Sequence, residues 1–165
     1  MILPIIKIGD PILERICNEI DVSRIKTKFD TSFATKYANT LEQFIRNMIE
    51  TARHHDALGL AANQVGELLR IFIFKENDEF NVAINPEIIE ATGEIELDLE
   101  GCLSVPKIQA VIPRYKKIKV KFFNEKGHQI ERLLSGLSAR VFGHELDHLN
   151  AILFLSKAQK IIYVK

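Results

Sequence analysis

Apolar residues recur at three- and four-residue steps over Tyr37, Leu41, Phe44, Ile45, Met48 and Ala52. That spacing puts them on one stripe of a 3.6-residue period and predicts an amphipathic helix from about Thr35 to His55. The pattern then changes. Leu69 to Phe74 is a run of β-branched and aromatic residues, and Val82 to Ile84 is another that stops at the turn signal Asn85-Pro86. Ile95, Leu97 and Leu99 alternate with Glu94, Glu96, Asp98 and Glu100, which reads as a half-buried strand. Ile118 to Phe123 is a further strand, and Asn124 to Gly127 is a hairpin loop leading into His128 to Leu134. Ser135-Gly136 opens a last helix through Asn150. The order predicts an α+β fold: largely antiparallel sheets around a C-terminal helix, with an N-terminal amphipathic helix before them.

Length and charge narrow the picture. A chain of 165 residues, 47% apolar and 27% charged, suits one core and a single domain over 1–165. Lys plus Arg and Asp plus Glu both number 22, so nothing draws the chain generically to nucleic acid or an anionic membrane. Lys116, Lys117, Lys119 and Lys121 read as solvated strand positions. No apolar run is long enough to cross a bilayer. Met1 to Ile8 is too short and too broken by Pro4 for a signal peptide, and lacks the Arg/Ser pattern of a transit peptide. A cytoplasmic location follows as the expectation, with an organelle after removal of a presequence as the alternative. Cys17 and Cys102 form no disulfide framework, and Cys17 reads as a small buried hydrophobe.

The sharpest local signal is His144-Glu145-Leu146-Asp147-His148. On a helix the two imidazoles lie on one face and can reach one ion, with Glu145 beside them as a base. They continue the inward stripe of Leu137 and Val141. The competing reading is two buried histidines satisfied by hydrogen bonds. An ion would need a third protein ligand and an open fourth position. No histidine, Glu or Asp follows His148, so that ligand lies upstream, and Cys102 in Glu100-Gly101-Cys102-Leu103-Ser104 is the candidate. Gly101 there permits a bulge or a close backbone approach. His54-His55 sits at a helix end, where imidazoles suit the dipole better than a second metal site.

Three segments resemble the peptide deformylase family. Ala57-Leu-Gly-Leu-Ala-Ala-Asn-Gln64 is similar to its first motif, Glu100-Gly-Cys-Leu-Ser104 matches its second without a change, and His144-Glu-Leu-Asp-His148 matches its third. The resemblance implies a metal-dependent amidase that removes the formyl group from N-terminal formyl-methionine of nascent polypeptides. It implies Cys102, His144 and His148 as ligands of one divalent ion, iron(II) in the family, with zinc, nickel or cobalt able to replace it in purified protein. Glu145 would be the general acid/base, and Gln64 with the Leu103 N–H would polarise the formyl oxygen. An extended substrate would run along the backbone near Gly59. Leu137 and Val141 are either walls of its methionine pocket or plain helix packing. Glu100 and Arg114 either orient a ligand histidine or form a surface ion pair. The implied partners are a formyl-methionyl peptide and, transiently, the ribosome, for a monomeric enzyme.

The chain departs from the family pattern at four positions. Ala57 and Ala151 stand where glycines are usual, Gly143 where glutamine commonly precedes the third motif, and Gln109 where an arginine often helps to hold substrate. These departures motivate the alternative of a weak or inactive relative that binds metal or peptide N-termini. The intact Glu145 argues against it.

Overall fold

The computed structural model describes residues 1–25 and 33–164. Among the described residues are two α-helices and six strands: α1 (Leu41–His54), β1 (Gly59–Ala61), β2 (Ile71–Glu76), β3 (Glu79–Cys102), β4 (Val105–Phe123), β5 (Gln129–Ser135), α2 (Gly136–Leu149) and β6 (Lys160–Tyr163). The strands make one antiparallel sheet in the order β1-β2-β3-β4-β5, with β6 paired to the start of β4. No helix among the described residues is long and apolar enough to cross a membrane.

The expected first helix begins six residues late. Thr40 caps it, its hydroxyl accepting from the Gln43 N–H at 3.2 Å. Thr35 pairs instead with Ala38 in a tight turn, Thr35 N–H to Ala38 carbonyl, so Tyr37 packs on the core from outside the helix. The cap residue thus overrides the apolar spacing. The Asn85-Pro86 signal marks no end of a strand. The β3–β4 register shifts between Ile84 and Glu87 and β3 continues, with Asn85 in a left-handed conformation (φ 49°). Its side chain pairs with the Ile20 backbone in both directions, at 2.9 and 2.8 Å.

The apolar run at β2 reads as it does because both faces are covered. Ile71 and Ile73 enter the core beneath α1, with Phe44 and Met48. Phe72 and Phe74 face α2, where their rings meet Phe142 edge-on at 4.9 and 5.3 Å. β2 therefore sits between the two helices and fixes the height of α2 over the sheet.

The alternation on β3 is a strand, but the expected burial of one face is not met over 91–99, where both sides are exposed. Ile95, Leu97 and Leu99 are 58, 54 and 47% exposed, while Glu100 is 7% exposed. A period of two permits one inward set only. Over 91–100 that set shrinks to Glu100 alone, which Arg114 and His144 receive. The β4 lysines are on the surface as expected: Lys119 pairs with Glu131 at 2.6 Å and Lys121 with Glu87.

The C-terminus of α2 explains one departure. Asn150 is the C-cap, and Ala151 beyond it holds φ at 61°, where a Cβ is strained and glycine is not. Ala151→Gly should raise stability by about 1 kcal/mol, the strain relieved minus the extra freedom of glycine in the unfolded chain. Urea unfolding of the two proteins checks this, and an unchanged or lower midpoint would contradict it.

Candidate active site and metal centre

Three separate stretches of chain meet in a cleft of about 630 Å³, lined by Gly59, Gln64, Cys102, Leu103, Leu137, Val141, His144 and Glu145 among others. His148, 1% exposed, lies behind it. The residues that the resemblance implies for metal, catalysis and substrate thus share this cavity, His148 joining through the Cys102 sulfur. Cys102 ends β3, and Leu103-Ser104 is the two-residue turn into β4, with a register shift between Gly101 and Cys102. The sulfur sits at a hairpin tip, close under α2. That tip is pinned from outside: the Ile8 N–H donates to the Ser104 carbonyl at 2.8 Å, and Lys7 Nζ to the Leu103 carbonyl at 2.7 Å.

The ligand atoms of Cys102, His144 and His148 all lie within 4.8 Å of one another, and Cys102 Sγ is 3.2 Å from His148 Nε2. His144 turns Nδ1 to Glu100 Oε2 at 2.8 Å, which leaves Nε2 for the cluster. One sulfur and two imidazoles with room opposite them fit a four-coordinate ion that keeps one position open. Among the described residues it is the only such cluster, so His54 and His55, both exposed, form none.

The two histidines are held differently. Burial disfavours a charged His144, but its hydrogen bonds to Cys102 and Glu100 outweigh burial and push it up to about 10. Burial, and then the charges of His144 and Arg114, hold His148 well below the usual imidazole value. An ion at the cluster therefore competes with a proton on His144 and meets His148 already neutral. Burial pushes the Glu145 carboxyl up to about 7, and its Oε2 has no hydrogen-bond partner. A carboxyl of that kind exchanges its proton near neutrality.

Glu145 is positioned by contact with β1. A Cβ added to Gly59 would lie 2.5 Å from Glu145 Oε1 and 2.7 Å from its Cγ, so only glycine lets the carboxyl rest there. Gln64 is oriented at both ends. Its Oε1 accepts from the Ala61 N–H at 2.9 Å, and its Nε2 donates to Ser104 Oγ at 3.2 Å while lying 3.4 Å from Cys102 Sγ. The donor end of the amide therefore faces the cluster. Val141 is buried and Leu137 is 59% exposed at the rim, so both belong to the cleft wall.

Glu100 and Arg114 are no surface pair. Arg114 donates through Nε to Glu100 Oε1 at 2.5 Å and through Nη2 to Oε2 at 3.0 Å, both side chains being buried. Burial would raise the Glu100 pKa, but hydrogen bonds from His144 and Arg114 outweigh it and hold the carboxyl at about 2. Arg114 Nη1 also reaches Asp147 at 3.0 Å, and Lys157 closes on Asp147 at 2.7 Å. Gly143 makes room for this: a Cβ there would lie 3.1 Å from Arg114 Nη1. Ala57 needs no unusual backbone angle, since the left-handed residue before the first motif is Asp56 (φ 51°). Gln109 lines the cleft from an exposed position.

Sequence reasoning missed Arg140, Asn63 and the Asp147–Lys157 pair. Arg140, 6% exposed, donates to Glu100 Oε1 at 3.0 Å. Asn63 Nδ2 donates to the His148 carbonyl at 2.7 Å, tying the first motif to the third. A charged residue one turn before His144 on the inward face was the available signal for Arg140.

The comparisons agree with this geometry. Residues 2–162 match the family model described as Polypeptide deformylase. A peptide deformylase of Thermotoga petrophila is 43% identical over 149 residues, covering 90% of this chain and 82% of that one. One from Carboxydothermus hydrogenoformans is 39% identical over 158 residues, covering 96 and 94%. The crystal structure of the Thermotoga maritima peptide deformylase superposes with a TM-score of 0.83 at 39% identity, covering 97% of this chain and 99% of that one. An actinonin-bound peptide deformylase from Acinetobacter baumannii gives 0.84 at 33% identity, covering 96 and 99%. By sequence over nearly its whole length, and by fold, the chain belongs to the peptide deformylase family.

Proposed function

We propose that the chain is an active deformylase that hydrolyses the formamide of N-terminal formyl-methionine and releases formate. One observation carries the reading: a sulfur-and-imidazole donor set, a buried carboxyl with an unpartnered oxygen and an amide aimed at the sulfur share one cleft. Cys102, His144 and His148 hold the ion, iron(II) by family, and zinc, nickel or cobalt can take the same donors. When bound, the ion supplies Lewis acidity and lowers the pKa of a coordinated water toward neutrality.

The chain's own residues do the rest. Glu145 takes the proton of the attacking water and hands it to the amine as the C–N bond breaks. Its pKa near 7 suits both transfers. Gln64 Nε2 and the Leu103 N–H donate to the oxygen on which charge builds; losing one such donor costs about 3 kcal/mol of transition-state stabilisation. β1 is an edge strand of the sheet, and Ala57, Leu58 and Gly59 line the cleft, so an extended peptide can add alongside. Its methionine side chain then meets Val141 and Leu137. An Acinetobacter baumannii relative bound to Met-Ala-Ser supports a peptide ligand of this class. The reading assigns a monomer in a reducing cytoplasm, where the Cys102 thiolate survives, with only transient ribosome contact.

Glu145→Gln should lower formate release from a formyl-Met peptide by at least about a hundredfold while the donor set still takes up metal. Anaerobic iron loading, with formate and metal measured on the same sample, reads both. A loaded wild type that releases no formate would sink the proposal. Chelation should abolish activity and iron(II) restore it.

Gly59→Ala puts a methyl group where the Glu145 carboxyl rests. An ångström of displacement of a catalytic group costs on the order of a hundredfold in rate. The variant should fold, bind metal and lose kcat on that scale. Unchanged kcat would show that the base does not depend on this contact.

A further inference from the structure

Arg140 lies on α2, one turn before His144, and is buried. Its guanidinium reaches two other elements. Nη1 donates to Glu100 Oε1 at 3.0 Å and to the Ile112 carbonyl at 2.9 Å, and Nη2 donates to the Glu96 carbonyl at 2.8 Å. Glu96 and Glu100 belong to β3 and Ile112 to β4. One side chain of the histidine helix is therefore tied to both strands of the hairpin that carries Cys102 at its tip.

Glu100 is where these ties meet. Its Oε1 accepts from Arg114 Nε and Arg140 Nη1, and its Oε2 from Arg114 Nη2 and His144 Nδ1. Four donors fill the roughly four lone-pair directions of an ionised carboxylate. The two arginines differ in what they join. Arg114 stands on β4, already laddered to β3, and shares its fork with Asp147. Arg140 stands on the helix and spends its fork on the carboxylate and two backbone carbonyls. Nothing in that set is substrate or ion.

We infer that Arg140 is a positioning residue of the metal centre: it locks Glu100 in the rotamer that aims His144 Nε2 at Cys102 and His148, and it sets the spacing between the sulfur hairpin and the imidazole helix. The inference rests on Cys102, His144 and His148 being ligands of one ion. A carboxylate behind a ligand histidine fixes the ring and its basicity. With Arg140 gone, Arg114 still keeps Glu100 ionised, but Oε1 loses its link to the helix. The effect falls on geometry before it falls on charge.

Two variants test this. Arg140→Met keeps the volume and removes the fork; Arg140→Lys keeps the charge and reaches one acceptor at a time. Each is loaded with cobalt(II), whose thiolate absorption bands report donor geometry, and titrated with a competing chelator. Urea unfolding of the metal-free proteins follows stability separately. The Met variant should bind cobalt 10- to 100-fold more weakly, on the scale of lost hydrogen-bond partners of metal ligands, with shifted bands; the Lys variant should recover part of both. If folded variants lose stability yet hold cobalt with wild-type affinity and unshifted bands, Arg140 is only structural and the inference falls. Where the Met variant does not fold, the Lys variant decides by the same readings. A wild type that takes up no cobalt overturns the metal reading itself, whereas equal binding by wild type and variants overturns only the role of Arg140.

Discussion

The structure turns on burying the Glu100 carboxylate. Leaving such a charge unpaired in a core costs several kcal/mol, and the chain answers with two guanidiniums and an imidazole from β4 and α2. Those partners dictate more than their own positions. They draw the end of β3 inward at Glu100, next to the turn that carries Cys102. They hold α2 at a height that the Phe142 ring, wedged between Phe72 and Phe74, independently requires. The sulfur at the end of β3 and the imidazoles of α2 converge because ionic and aromatic contacts agree on one helix position.

The same carboxylate divides the cleft electrically. His144 leans on it and favours its charged form, while His148, deeper and without such a partner on Nδ1, favours the neutral one. Glu145 lies on the far side, against a glycine backbone, and its burial brings it close to neutrality. Two carboxyls on neighbouring elements are thus driven apart, one to about 2 and one to about 7. Partners explain the first and their scarcity explains the second.

The sequence disclosed best what is local. His144 and His148 share a helix face by spacing alone, and the hairpin at Asn124 forms as its turn residues dictate, Gly127 taking a left-handed angle. The α+β class followed from the order of patterns. What hid was whatever depends on a distant partner. β3 looked half-buried because alternation names two faces without saying that either is covered, and over 91–99 neither is. Arg140 and Asp147 take their roles from acceptors and donors on other elements, 40 residues away for Arg140 and Glu100. β6 went unread because its four residues acquire strand form only by pairing with β4. Ala151 showed the reverse case, a departure noted in the sequence whose meaning lay in one backbone angle.

The hairpin-tip origin of the sulfur has a consequence for assembly. Cys102 and His148 are separated by 46 residues along the chain, and their meeting closes a loop that contains β4, β5 and most of α2. An ion encountering the unstructured polypeptide finds no preformed pocket, since even the two imidazoles share a face only once α2 has wound. Because the ion binds the folded chain and not the unfolded one, its binding free energy adds to that of folding. Occupancy of the site therefore ties β4, β5 and α2 together in one linkage, and its loss is felt by the whole of that stretch.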